Sequence, residues 1–201
     1  MAAEFTPTGD GGAAVALDEV EVSILRSLAV QFMELLGPGD EPDASSDPLA
    51  ALFAEGPSAP PKDPVLARLF PDAYGDPSAE PASAQEATEL RDASAEFRRY
   101  TETDLRARKR EDALKVVRSL DALDPHGEGG AVLRLGAEES RVWLGTLNDL
   151  RLAIGTRLEV TDEEDGGGLY TLPDSDPRKP MVMAYLWLGA LQETLVGTLL
   201  D

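Results

Sequence analysis

The segment from Arg141 to Leu158 constrains the fold more than any other, because its apolar residues repeat with the period of a helix. Trp143, Leu147, Leu150 and Ile154 follow one another at offsets of four, seven and eleven residues. Positions with these offsets lie on one face of an α-helix. The segment therefore predicts an amphipathic helix whose apolar face packs against the rest of the protein.

Polar residues lie beside this apolar face, where a purely structural helix usually carries alanine, leucine, glutamate or lysine. They are Asn148, Asp149 and Arg151, and Arg157 follows one turn later, within reach of the carbonyls at the helix end. Asp149 and Arg151 are candidates for catalysis, but buried networks of aspartate and arginine more often fix packing. We therefore interpret this polar set as structural.

The last segment, from Met181 to Leu200, is apolar on nearly every side and contains Tyr185, Trp187, Leu191 and Leu195. A helix of this kind is expected to be buried all round, either as the central core helix or as half of a dimer interface. Its run of eleven apolar residues is too short to span a bilayer. We favour the core over the dimer interface.

Glycines in both segments favour close packing of the two helices. Gly145 and Gly155 each cost the first helix about 1 kcal/mol relative to alanine, so we expect a close approach or a helix end at each of them. In the arrangement that we expect, Gly145 and Ala153 face Gly189 and Ala190 of the last segment. Small residues on both sides would let the two helix axes approach each other.

Composition places the chain among globular proteins and bounds its partners. Hydrophobic residues make up 42% of the 201 residues, and 38 acidic against 18 basic residues give a net charge of −20. Such a field repels the phosphates of nucleic acids and anionic lipids, so the sequence disfavours both as partners. Cysteine is absent, which excludes disulfides, thiolate metal sites and a catalytic thiol. The first twelve residues lack an export signal, so we expect a cytoplasmic protein.

The remaining elements are also mostly helical. Asp18 with Glu21 predicts a capping box for a helix that ends at Leu36, and Asp63 with Pro64 predicts the start of a short helix. The other predicted elements are a strand over residues 13–17, a short helix near 48–54, helices over 83–99 and 104–123 separated by a turn at 100–103, and a strand over 131–135 that pairs with the first.

These elements predict a mainly α fold, a bundle of about five to seven helices with a small two-stranded β element. We expect a single helical domain over residues 1–201, with a flexible N-terminus over residues 1–12. Acidic loops rich in proline and glycine are predicted over residues 37–62 and 160–180.

Basic residues are concentrated over residues 96–118, where eight basic and five acidic side chains give a net charge of +3. The densest part, Arg106, Arg108, Lys109 and Arg110, is the predicted surface for a protein partner. One alternative is that residues 104–123 form the reading helix of a helix-turn-helix that binds DNA. Another is a solvent-exposed helix whose opposite charges pair at a spacing of four residues.

No familiar constellation for catalysis or metal binding is evident in the sequence. His126 is the single histidine and lies in a turn rich in glycine and proline, without a second histidine to share a metal. The acids Asp162–Asp165 precede three glycines, but Pro173 stands where an EF-hand loop needs glutamate. We therefore predict no enzymatic activity, no cofactor and no metal. An enzyme or metal protein that uses Asp149, Arg151 or these acids is the weakest hypothesis.

Several segments form, in their order along the chain, a pattern that no single one of them would establish. They are Leu17–Asp18, Ile24–Leu28, Leu66–Tyr74, Glu96–Glu102, Leu105–Lys109, Leu147–Leu158 with Trp143 before it, and Tyr185–Leu195. By these segments the chain resembles the actinobacterial domain-of-unknown-function family twenty-seventeen. The resemblance covers nearly the whole chain outside the loops rich in proline and aspartate.

The resemblance implies a helical cytosolic protein with no assigned enzymatic activity. Such proteins look like transcriptional regulators of the oxidative-stress response that contact a sigma factor. Some relatives use a cysteine pair, and redox sensing of that kind does not carry over to a chain without cysteine. Our leading hypothesis is a non-enzymatic regulatory or adaptor protein, a homodimer that contacts a sigma factor or RNA polymerase. Direct DNA binding through residues 104–123 is the alternative.

Overall fold

The computed structural model describes residues 3–9, 11–37, 56–75, 79–124, 130–160 and 172–200. Within these ranges the protein is mainly helical with a small antiparallel sheet, which confirms the predicted fold class. The strands are β1 (Thr6–Thr8), β2 (Gly12–Leu17) and β3 (Ala131–Leu135); the helices are α1 (Glu19–Leu36), α2 (Pro64–Leu69), α3 (Ala84–Asp121), α4 (Ala137–Arg157) and α5 (Lys179–Leu200).

The predicted pairing of β2 with β3 is confirmed. The two strands are antiparallel, with Val15 opposite Leu133 and Leu17 opposite Ala131. Val15, Leu17 and Leu133 are all buried in the core. The alternation of buried and exposed residues in these strands therefore fixes which face of the sheet meets the helices.

A third strand, β1, was not predicted, and residues 3–9 are not the flexible terminus that we expected. Strand β1 pairs with β2 at the edge of the sheet, where Pro7 is tolerated because an edge strand has one unpaired side. Phe5 is buried, its ring 6.2 Å from that of Trp143, and its N–H donates to Thr194 Oγ1 at 3.1 Å. Burial of this phenylalanine holds the strand in place.

Helix starts follow the predicted capping residues. Asp18 and Glu21 form the reciprocal capping box of α1, and Asp63 accepts hydrogen bonds from the first N–H groups of α2. Ser83 accepts a hydrogen bond from the N–H of Glu86 at the start of α3, the residue at which the sequence placed the beginning of this helix. The aspartate and serine side chains satisfy N–H groups that have no partner inside the helix.

The prediction of two helices joined by a turn at residues 100–103 is wrong, because α3 is one uninterrupted helix of 38 residues. At 1.5 Å per residue it is about 57 Å long. Thr101, which we expected near a helix start, donates its hydroxyl to the carbonyl of Phe97 inside the helix at 2.8 Å. Its side chain therefore bonds within the helix instead of starting a new one.

The apolar face of α4 is buried as predicted, since Trp143, Leu147, Leu150 and Ile154 all lie in the core. Helix α5 packs chiefly against α4 and, more weakly, against the sheet. None of the helices in the described ranges combines the length and apolar character that crossing a lipid bilayer requires.

The prediction that α5 is buried on every side is wrong. Leu191 and Leu195 are in the core, whereas Tyr185 and Trp187 are only partly buried. Because α4 and the sheet cover one side of α5, the other side keeps exposed apolar residues, namely Met181, Met183, Val196 and Leu200.

Candidate partner-binding site

The predicted basic surface on α3 is divided by the structure into internal and external side chains. Arg106 donates to Glu102 through Nε and Nη2, at 2.9 and 2.7 Å, and through Nη1 to the carbonyl of Leu36 at 3.3 Å. Its guanidinium also lies 4.5 Å from the ring centre of Phe70. Arg106 therefore ties α3 to the end of α1 and to the segment after α2.

Lys109 is also committed to an internal contact, whereas Arg108 and Arg110 are not. The Lys109 ammonium lies 2.7 and 2.9 Å from the two carboxylate oxygens of Asp149. Arg108 is exposed, with Asp112 at 4.0 Å, and Arg110 has no hydrogen bond or ion pair to any residue in the described ranges. The predicted partner surface thus retains two cations outside the internal contacts, the exposed Arg108 and the partly buried Arg110.

Arg98 is the centre of a buried polar cluster, which we call the Glu102 network. It consists of Asp72, Arg98, Glu102 and Arg106. Arg98 is 4% exposed and donates to Glu102 at 2.6 Å, to Asp72 at 2.7 Å and to the carbonyl of Phe70 at 3.0 Å. Two carboxylates thus balance two guanidinium groups, so the cluster is neutral within the fold.

Asp149 pairs with Lys109 across the contact between α3 and α4. Burial of the Asp149 carboxyl raises its pKa above the ordinary value of 3.8, and the bond to the Lys109 ammonium lowers it by less. The Asp112 carboxylate raises the pKa further by repulsion. Asp149 therefore faces inward, and it does not lie on the same side of α4 as the next polar residue, Arg151.

Arg151 faces a groove on the outside of the molecule, which we call the Arg151 groove. It lies where α2, α4 and α5 meet and has a volume of about 610 Å³. The lining residues are Arg68 of α2, Asn148, Arg151, Leu152, Gly155 and Thr156 of α4, Glu159 and Val160 after α4, and Tyr185 of α5.

Two glycines let the side chains of α4 and α5 interlock beside this groove. A Cβ on Gly155 would lie 3.1 Å from Tyr185 Cε2, and a Cβ on Gly189 would lie 3.2 Å from Arg151 Nε. The Arg151 guanidinium lies over the Tyr185 ring, 4.9 Å from its centre. The expected close approach is thus confirmed at Gly155. The same expectation is wrong for Gly145, because no described neighbour lies within 4 Å of a Cβ built there.

Arg151 has no acidic partner among the described residues. Its Nη1 donates to Gln192 Oε1 at 3.5 Å, the outer limit of a hydrogen bond, and its buried Nε has no hydrogen-bond partner in the described part of the chain. Gln192 in turn donates to Asn148 Oδ1 at 3.3 Å. Arg68, at the α2 side of the groove, is exposed and likewise pairs with no acid in the described ranges.

The sequence suggested that Arg157 bonds to the carbonyls at the end of α4. In the structure, backbone hydrogen bonds close this end instead. The N–H of Val160 donates to the carbonyl of Gly155 at 3.0 Å, and that of Glu159 to the carbonyl of Thr156 at 3.2 Å. Glu159 takes φ = 56°, the left-handed conformation usual at such an end. This backbone turn places the Glu159 side chain at the rim of the Arg151 groove, while Arg157 is exposed.

Several predicted features lie outside the described residues. These are His126, the acids Asp162–Asp165 and the short helix near residues 48–54. Among the residues that the structure does describe, no group of three or more histidine, aspartate or glutamate side chains is placed to hold a metal ion.

Comparison with known proteins assigns the chain to a family. A family model described as Domain of unknown function (DUF2017) matches residues 1–199. The chain belongs to this family. Two relatives, each named oxidative stress regulator AosR, come from Mycobacterium tuberculosis and Mycobacterium bovis; each is 30% identical over 184 residues, covering 90% of this chain and 78% of the relative. No solved structure matches the chain significantly.

Sequence reasoning found Arg151 and its two neighbouring glycines but missed Arg68 and the role of Tyr185. Arg68 lies in the segment Leu66–Tyr74, which carried part of the family resemblance. That segment was the available signal, but nothing in it shows that α2 packs beside α4. The groove becomes visible only when the three helices are assembled.

Proposed function

We propose that this chain is a stress-linked regulatory protein that works through protein contact and not through catalysis. The observation that carries the proposal is its similarity to two mycobacterial oxidative stress regulators over 90% of its length. The local geometry supports contact as the mode of action. Charged side chains of α3 and α4 neutralise one another inside the fold at Glu102 and at Asp149, and Arg151 of α4 faces an open groove.

The partner that we propose is a sigma factor or another protein of the transcription machinery. Direct DNA binding is less well supported, because a helix-turn-helix reader needs two helices joined by a tight turn and α3 is continuous. Arg106 and Lys109 are also bound to acids of the same chain, which leaves fewer cations for phosphate contacts. The net charge of −20 acts in the same direction.

We further propose that the protein is a homodimer that uses the outer side of α5. Met181, Met183, Val196 and Leu200 are exposed on this helix, although large apolar side chains normally gain by burial. Sedimentation equilibrium at micromolar concentration tests this proposal, and a dimer that dissociates on replacement of Met183 and Val196 by glutamine would support it. A strict monomer would refute it.

The test of the regulatory proposal uses the full chain as an immobilised bait for purified transcription proteins. We expect retention of a sigma factor or of the RNA polymerase core, and a change in run-off transcription when the protein is added. Duplex DNA at low salt serves as the competing ligand. Retention of DNA without any transcription protein would contradict the proposal and favour the DNA-binding alternative.

A further inference from the structure

Arg151 is a partly buried cation without an acidic partner in the described part of an acid-rich chain. The chain has 38 acidic and only 18 basic residues, so carboxylates are abundant. Two partly buried cations on α3 have such partners, since Arg106 pairs with Glu102 and Lys109 pairs with Asp149, whereas Arg151 has none among the described residues. A partly buried charge is costly unless it is paired. Among the described residues, Arg151 therefore presents a positive charge that no carboxylate neutralises.

The guanidinium of Arg151 is also held in place before any ligand arrives. It lies between the Tyr185 ring, 4.9 Å away, and the backbone of Gly189, which has no Cβ to displace it. A planar guanidinium can form two parallel hydrogen bonds with one carboxylate. Holding the side chain in one orientation lowers the entropy that binding would otherwise cost.

We propose that the Arg151 groove binds a carboxylate of an acidic peptide segment in a protein partner. This inference rests on the proposed function, because it names the surface through which a regulatory contact is made. Arg151 takes the carboxylate, and Arg68 on the opposite helix adds a second positive charge. Asn148 offers an amide, while Leu152 and the Tyr185 ring give an apolar wall for the residue next to the acid.

Charge in and around the groove selects a peptide over a nucleic acid. Two arginines at one groove match one or two carboxylates, whereas a phosphate backbone requires a longer row of cations. The Glu159 carboxylate at the rim of the groove repels a ligand that carries many negative charges in a row. Glu159 also attracts the Arg178 guanidinium, which lies outside the groove. The preferred segment is therefore one acid flanked by apolar or uncharged residues.

The experiment is a selection of random dodecapeptides on the full-length protein. Parallel selections use Arg151→Gln, Arg68→Gln and Arg134→Gln. Arg134 is exposed on β3, outside the groove, so its variant is a control for the loss of one positive charge. We expect peptides that contain aspartate or glutamate to be enriched on the wild type and on Arg134→Gln. The proposal would be overturned if acidic peptides were enriched equally on Arg151→Gln and on the wild type, or if the peptides enriched on the wild type contained no aspartate or glutamate.

Binding of one enriched peptide then separates recognition from a purely structural role of Arg151. The probe is compared with a copy in which asparagine or glutamine replaces each acid. We expect at least tenfold weaker binding of the amide copy to the wild type, and of the acidic probe to Arg151→Gln. The Arg151 Nε–Hε signal in a ¹⁵N spectrum should shift with the acidic probe only. Equal binding of both probes would show that the carboxylate is not recognised.

Free anions and a second copy of this chain are the competing occupants. Inorganic phosphate or acetate that shifts the Arg151 signal as strongly as the peptide does, at the same concentration, would overturn the proposal in favour of a small-anion site. Loss of dimerisation in Arg151→Gln would also overturn the proposal, because it would show that a second copy of this chain occupies the groove. If acidic peptides bind through Arg151 but no transcription protein is retained, the groove stands and the regulatory proposal fails.

Discussion

The Glu102 network and the Arg151 groove both hold arginines against helices, but only the first provides acids for them. In the network, Arg98 and Arg106 share Glu102, and Asp72 completes the set. In the groove, Arg68 and Arg151 have no acidic partner among the described residues. The difference separates cations that are neutralised inside the fold and help to stabilise it from the two groove arginines, which we propose bind another molecule.

The largest expected loss of stability follows from a substitution in the Glu102 network. Replacing Glu102 by glutamine leaves two arginines with less negative charge, and Arg98 is almost fully buried. We expect a loss of about 3 kcal/mol in the free energy of unfolding, because removing one member of a buried ion network leaves an unbalanced charge. Urea denaturation measures it, with the exposed Glu96→Gln on the same helix as control. A change below 1 kcal/mol would show that the network does not stabilise the fold.

A smaller effect is expected at the pair of Lys109 and Asp149, which joins α3 to α4. We expect Asp149→Asn to change the free energy of unfolding by less than about 1 kcal/mol at pH 7, because the lost bond to Lys109 is offset by the burial cost of the carboxylate, which raises its pKa. Lys109 is less buried than Arg98, so the loss is smaller than in the network. Urea denaturation of both proteins at pH 7 provides the comparison.

The same substitution changes the pH dependence of stability, and the sign follows from the raised pKa of Asp149. Burial raises this pKa in the folded protein above 3.8, so protonation of Asp149 favours the folded state. The contribution of Asp149 protonation to the free energy of unfolding is present in full below pH 3.8. It is lost as the pH rises through the pKa that Asp149 has in the folded state. The free energy of unfolding of the wild type, relative to that of Asp149→Asn, should therefore rise as the pH falls towards 3.8. A fall in this relative free energy would contradict the raised pKa of Asp149.

At the groove, loss of an arginine should affect the fold much less. Arg151→Gln removes the contact with the Tyr185 ring, which is worth about 0.5–1 kcal/mol at a partly exposed site. Arg68→Gln should change the free energy of unfolding by less than about 0.5 kcal/mol, as surface substitutions do. Thermal and urea unfolding provide the values. A loss as large as that in Glu102→Gln would place Arg151 with the structural arginines and remove the distinction between the two regions.

The smallest effects separate the glycines beside the groove from the glycine in open space. Gly145→Ala should stabilise the protein by about 0.5–1 kcal/mol, because alanine favours the helix and meets no neighbour. Gly189→Ala should change the free energy of unfolding little, because the contact of the new Cβ with Arg151 Nε offsets the gain in helix propensity. The same contact should displace the Arg151 guanidinium. Urea midpoints and the Arg151 Nε–Hε signal provide the two readouts. An unmoved signal in Gly189→Ala would contradict the interlock.

Local signals in the sequence predicted most helix starts and the apolar faces, because capping residues and helical periods act over a few positions. The same local reasoning failed within α3. Thr101 and Asp104 look like residues at a helix start, yet Thr101 bonds to the carbonyl of Phe97 and the helix continues. Contacts of Arg98 and Arg106 with other segments stabilise this stretch, and local propensity does not report them.

The two polar regions depend on contacts between residues far apart in the chain, which is why the sequence did not separate them. Asp149 and Arg151 are neighbours on α4, yet Asp149 meets Lys109, 40 residues earlier, and Arg151 meets Tyr185, 34 residues later. A two-residue step on a helix rotates the side chain by about 200°, so adjacent polar positions lie on different sides. The sequence predicted a polar set but not its division into an internal pair and an external groove.

The most direct test of this account compares two double variants as baits for the transcription protein that the wild type retains. One is Arg68→Gln with Arg151→Gln in the groove, and the other is Arg108→Gln with Arg110→Gln on α3, where neither arginine makes an internal ion pair in the described ranges. Both remove two positive charges from exposed or partly exposed positions. The account predicts that the groove variant loses the partner while remaining folded, and that the α3 variant keeps it. Retention by the groove variant and loss by the α3 variant would contradict it.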